Sequence, residues 1–180
     1  MLTITVSGGE LFDEATQTFL STEDVTLHLE HSLLSLSKWE SKFLKPFLSN
    51  SSKTTEEILW YIRCMIIDNN YNENCLLHLS QSNLEEINAY INSPQSATTF
   101  GSMPESRGRG EVITAELIYY WMVAFTIPIT CETWHINRLF SLIRICNIKN
   151  SKPQKGNRNE IAARNRALNE QRKQQLNTTG

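Results

Sequence analysis

Two histidines and a carboxylate crowd into His28-Leu29-Glu30-His31, and Cys131 and His135 stand four residues apart. These residue types ligate metals, and a four-residue spacing on a helix turns two ligands the same way. His28 and His31 share a face only on a helix, whereas the residues before them alternate as a strand does. A surface cluster at a strand–helix junction is therefore expected there instead of a metal site. Cys131 and His135 lack a second pair at a ligand spacing, and read as a packed thiol beside a half-buried imidazole. The paired acids Glu56-Glu57 and Glu85-Glu86 fall in first helical turns, where caps and the helix dipole account for them. Gly8-Gly9 reads as a hairpin turn, and no glycine-rich segment opens a helix with Lys-Ser/Thr to cradle phosphate. Neither a G-x-S-x-G elbow nor a Cys/His nucleophile signature is present. No catalytic, cofactor-binding or metal-binding residue is assigned, and the chain is not expected to be an enzyme.

Its charge is informative where its chemistry is not. Residues 149–180 carry eight Lys/Arg against two Glu, a net +6, while residues 1–148 carry nine Lys/Arg against seventeen Asp/Glu, a net −8. Such a split marks a tail that touches something other than its own body. The tail lacks the interleaved aromatics that stack bases, so its charges would neutralise phosphates only non-specifically.

The elements follow from periodicity. Leu2, Ile4 and Val6 alternate with Thr3 and Thr5; Thr18–Leu20 and Val25–Leu29 continue the pattern, which predicts a small antiparallel sheet. From His31 the period becomes helical. One helix is expected from Ser32 to Leu44, stopped by Pro46. Thr54 and Glu57 form a capping box ahead of Ile58, Ile62, Met65 and Ile66, and Ser82-Asn83-Leu84-Glu85 repeats the device ahead of Ile87 and Ile91. Residues 93–111, punctuated by Pro94, Gly101, Pro104, Gly108 and Gly110, read as a long mobile loop. Thr114 caps the next helix, carrying Leu117, Ile118, Tyr120 and Trp121. A second apolar helix from about Thr130 to Lys149 should form an antiparallel hairpin with it across Thr126–Ile129. These two helices are expected to hold the core, with Trp121 and Trp134 inside. Beyond Pro153 and Gly156, residues from Asn157 favour a helix with so little to bury that it is marginal alone in water.

The fold class expected is α+β and predominantly α. An N-terminal β-hairpin region (1–30) belongs to the same globular unit as a helical core (31–149), followed by a basic C-terminal tail (150–180). Hydrophobic residues make up 40 % of the chain, enough for one core. No run approaches the roughly 18–20 apolar residues of a membrane span, so no membrane association is expected. Without an export signal, the four widely spaced cysteines read as reduced thiols. Trp39, set among polar neighbours, reads as the lid of the core or as a groove wall for a partner. The candidate partner-binding residues are Trp39, Lys42 and Phe43 on that segment, and Arg158, Arg164, Arg166, Arg172 and Lys173 in the tail.

Several segments carry a resemblance: Leu29–Lys42 (LEHSLLSLSKWESK), Tyr61–Met65 (YIRCM), Ala97-Thr98-Thr99, Ile113–Met122 (ITAELIYYWM), Trp134–Leu139 (WHINRL), and the ending from Ala167 to Asn177. Together they resemble the tail assembly chaperones encoded by tailed bacteriophages, over nearly the whole chain. Phe43 stands where the family pattern has a second Trp, and the 100–110 loop is richer in glycine. The resemblance implies a non-enzymatic assembly factor that binds the phage's tape measure protein and keeps it soluble while the tail tube polymerises. The tail tube protein and a second copy of the chain are further candidate partners. It also implies work in the cytoplasm of the infected bacterial host and absence from the mature virion. A structural tail or connector component ranks second, and a nucleic-acid binder acting through the basic tail ranks third.

Overall fold

The computed structural model describes residues 1–13, 17–49, 51–100, 112–151 and 158–176. It is α+β and predominantly helical, as the periodicity predicts. The chain divides into two compact units, Met1–Cys146 and Asn147–Gly180.

In the first unit, strands β1 (Leu2–Val6) and β4 (Val25–Leu29) pair antiparallel, as do β2 (Gly9–Asp13) and β3 (Thr18–Thr22). Both ladders keep one register, from Leu2↔Leu29 to Asp13↔Thr18, and so form a single long hairpin interrupted once. Gly8 lies at the interruption. A Cβ there would sit 2.2 Å from the Thr22 carbonyl oxygen, so only glycine fits. The Gly8 N–H donates to Asp24 Oδ1 at 2.7 Å, which satisfies the backbone where the ladder breaks. Gly8-Gly9 is therefore not the hairpin turn expected; the reversal falls between Asp13 and Thr18. Alternation does the rest: Ile4, Val6, Leu27 and Leu29 are buried on one face while Thr3 and Thr5 face out.

Helix α1 (Leu33–Phe43) is the hub onto which α2 (Thr55–Met65) and α4 (Ala115–Ala124) pack. Ser32 caps α1 reciprocally with Ser35, and Leu44 ends it in the left-handed conformation (φ 52°), two residues before Pro46. Leu33, Leu36 and Trp39 turn inward at helical spacing and meet Ile62 and Met65 of α2 in the core. The capping box of α2 is the expected Thr54–Glu57 pair. Its inward face differs: Tyr61 is buried with Ile62 and Met65, and Ile58 is exposed.

A 3-10 turn over Glu73–His78 leads to α3 (Gln81–Asn92). The capping box of α3 is Ser80–Asn83, two residues ahead of the expected one, because Asn83 both caps and reaches Thr5 of β1 through its amide. Of the loop expected over 93–111, residues 101–111 lie outside the described residues. Thr114 caps α4 as expected.

The link from α4 to α5 (Ile136–Asn150) is longer than the expected tight turn. It contains a 3-10 turn over Ile129–Thr133 that packs on α1. Helix α4 thus takes α1 as its closest neighbour, and the expected α4–α5 hairpin is not formed. The start of α5 is instead tied to the α1 N-terminus by the Ile136 N–H donating to the His31 carbonyl at 2.7 Å. The tryptophans are also redistributed. Trp39 is fully buried, whereas Trp121 and Trp134 pack only partly buried against the core's edge. In the second unit, α6 spans Arg158–Leu176.

Candidate functional site: a cleft between α1 and α2

The conspicuous polar residues of α1 are spent on holding the fold. Trp39 is 1 % exposed and its indole N–H donates to the Glu57 carbonyl at 2.9 Å. This overturns its candidacy as a groove wall, because no face of the ring is left for a partner. Glu40, 7 % exposed, accepts from the Phe47 N–H through Oε1 and from the Ala115 N–H through Oε2, both at 2.7 Å. The second contact places a carboxylate at the first turn of α4, where the helix dipole favours it. Phe43 is half-buried and stacks at a tilt on Trp39, with 5.0 Å between ring centroids.

The histidine cluster also divides. His28 keeps to the surface, where its ring Nδ1 lies 3.0 Å from Asp68 and its backbone N–H donates to the same carboxylate at 2.7 Å. That backbone contact, with the ring behind it, holds the Asp68 carboxyl below its usual range. His31 is 3 % exposed, in contact with the Tyr61 hydroxyl and 5.1 Å, centroid to centroid, from the His135 ring. The expected surface cluster is corrected accordingly: strand alternation sends His28 outward, and the capped start of α1 carries His31 into the core. Burial, helped by His135, pushes the His31 pKa down to about 3, so the ring is neutral. His135 is likewise buried rather than half-buried, and burial lowers its pKa too. Its Nε2 donates to the Tyr90 carbonyl at 3.1 Å while Nδ1 accepts the Asn137 N–H at 3.2 Å. Both ring nitrogens are therefore used in bracing the fold. Among the described residues no three His, Cys, Asp or Glu are grouped to hold a metal ion.

What remains of α1 is its outer face. Leu34, Ser37, Lys38 and Ser41 recur at helical spacing and form one wall of a cleft of about 870 Å³. Trp60, Arg63 and Cys64 of α2 form the opposite wall. The extended residues 66–69 form its end, and Ile67 donates there to the His28 carbonyl beside β4. Lys42 places its ammonium 3.2 Å from the centroid of the Trp60 ring, and the Arg63 guanidinium carbon lies 4.8 Å from it. Such cation–π contacts hold the indole in place. Arg63 also pairs with Glu73. A second, mainly apolar groove of about 410 Å³ continues past Trp60 and Arg63 to Leu59, Leu76 and Leu77.

None of the residues picked from sequence lines this cleft; Lys42, exposed and over the Trp60 ring, comes to its edge. Sequence reasoning missed Lys38, Trp60 and Arg63. The signal available was the mostly polar stripe Leu34, Ser37, Lys38 and Ser41 on α1, whose use is invisible until α2 is known to lie alongside. In the second unit, Arg166, Arg172 and Lys173 are exposed on α6. Arg158 and Arg164 lie on the same helix, and their side chains are outside the described residues. Among the described residues no helix is long and apolar enough to cross a membrane.

The chain matches no protein-family model, no curated protein and no solved structure.

Proposed function

We propose that this chain is a tail assembly chaperone of a tailed bacteriophage. It binds the tape measure protein without chemical transformation and keeps it soluble while the tail tube polymerises. One observation supports the reading beyond the sequence resemblance: α6 is a basic helix with little of its own to bury. It runs nineteen residues, carries five Lys/Arg against two Glu, and every side chain described on it is exposed. A helix that polar gains little from its own fold and is stabilised by a client lying along it. The acidic body supplies an opposite charge that keeps the factor soluble and discourages non-specific binding to nucleic acid.

On this reading the protein acts in the cytoplasm of the infected host, touches the tail tube protein only through the growing assembly, and leaves before the particle is complete. Co-expression with the tape measure protein of the same phage tests it. The expected result is a gain in soluble tape measure and its co-purification with this chain. The absence of both the gain and the co-purification would contradict the reading.

A further inference from the structure

We infer that the outer face of the β2–β3 ladder seats a Lys- or Arg-bearing segment of a partner polypeptide, its cation over the Phe12 and Phe19 rings and beside Glu10. The inference goes beyond the chaperone reading and does not need it. Register builds the face. Phe12 stands directly across from Phe19 and Glu10 across from Ser21, and alternation puts all four on one side of the ladder. Gly9 and Thr22 fall on the other side, where Thr22 is buried and a Cβ on Gly9 would meet the His78 ring at 2.9 Å. The side that carries the two phenylalanines therefore faces away from the body. Its rings lie 5.1 Å apart, centroid to centroid, and stay 53 % and 70 % exposed. Two phenyl rings side by side form a patch, not a scattered apolar residue, and left open they forfeit the burial such rings usually gain.

Charge complementarity names the occupant. Residues 1–37 carry six Asp/Glu and no Lys or Arg. Lys and Arg are equally absent from Cys64 to Ser106, a stretch that includes the 3-10 turn and α3, both packed against the hairpin. The histidines of this region do not offset its charge: His28 turns to Asp68, and His78 lies on the other side of the ladder. Glu10 and Glu23 are exposed and form no ion pair among the described residues. A cation gains twice on such a face, from the rings and from the carboxylate two residues along. Arg suits it best, because a guanidinium stacks on a phenyl ring and still offers N–H groups to Glu10. The same hairpin of a second copy would set acids against acids. A polynucleotide or an anionic membrane surface would be repelled.

The test uses the full chain and fluorescence anisotropy. The probes are a short fluorescein-labelled peptide of Arg and Ser, its counterpart with Glu for Arg, and a neutral one with Leu for Arg. The Arg/Ser peptide should bind and the other two should not. Phe12→Leu with Phe19→Leu, which keeps apolar bulk and loses the rings, should weaken binding roughly five-fold or more, as loss of two exposed cation–π contacts implies. Glu10→Gln should weaken it about two- to five-fold, the range for an exposed ion pair. Glu85→Gln with Glu86→Gln removes twice that charge from α3 and should leave binding unchanged, which separates a seated cation from general attraction to an acidic body. Amide shifts of the unaltered chain on adding the Arg/Ser peptide give a second reading that needs no variant, and they should centre on Phe12 and Phe19. No binding, equal binding of the Leu/Ser peptide, or shifts centred on α3 would overturn the proposal. So would equal loss with the α3 variant. A dimer seen by sedimentation and abolished by the phenylalanine variant would place a second copy in the seat and overturn it too.

Discussion

Glu40 shows how much one side chain in this fold can hold. It ends two backbone N–H groups at once, one in the turn after α1 and one at the start of α4. Hydrogen bonds to a charged group contribute about 1.5–3 kcal/mol each, and the donors would be left unpaired. Glu40→Ala should therefore lower unfolding free energy by at least ~2 kcal/mol in urea titration, with Glu40→Gln intermediate. His31 sets a pH dependence. Its folded pKa, about 3, lies below the unfolded value near 6.5. The unfolded chain thus takes up a proton that the folded chain refuses. Stability is full above pH 6.5 and falls as the pH drops toward 3, by up to about 1.4 kcal/mol per pH unit for this one group. His135 adds a loss of the same sign. Urea midpoints measured between pH 7 and 5, where carboxylates remain ionised, should decline, and His31→Gln should flatten the decline.

At the scale of elements, the hairpin and α1 show what local pattern can and cannot reveal. Gly8→Ala should destabilise the protein by roughly 1–3 kcal/mol, the range for a forced steric or overpacking change, because backbone atoms of Thr22–Asp24 leave the Cβ no room. Far-ultraviolet circular dichroism on heating would register the loss as a lower midpoint. Strand positions were legible because alternation is local, and so were the Thr54 and Thr114 caps, which need only three or four residues. Pairing was not. Gly8-Gly9 has the composition of a turn, and nothing nearby in sequence reveals that Thr22 and Asp24 cross it.

Trp39 left two readings open, core lid and groove wall, for a related reason. Its immediate neighbours are polar, but helical phase sets it with Leu36 and Phe43 on the face that α2 covers. Trp121 failed the other way: α4 is apolar nearly all round, so composition could not tell its inner face, Ile118 and Met122, from its exposed one, Tyr120 and Val123. The cleft was illegible because its two walls are outer faces of different helices. Each is unremarkable until the packing of α1 on α2 brings Lys38, Lys42 and Trp60 together.

For the molecule as a whole, the organising fact is two electrical halves carried by two units of different character. The first unit buries a shared core and turns its acids to structural use, as Glu30, Glu40 and Glu57 show. The second carries a basic helix whose described side chains are all exposed. A division of that kind makes binding through α6 electrostatic, so affinity for an acidic client should fall steeply with added salt. Replacing Arg166, Arg172 and Lys173 by Gln should weaken client binding and flatten its salt dependence, read by co-purification at increasing ionic strength, while the urea midpoint of the body stays unchanged.

The most direct measurement is mass spectrometry of material captured on an affinity-tagged copy of this chain midway through infection, set beside the proteins of purified particles. The account requires the tape measure protein to be the principal captured species and this chain to be missing from the particles. Capture without tape measure protein, or a stoichiometric amount of this chain in finished particles, would contradict it.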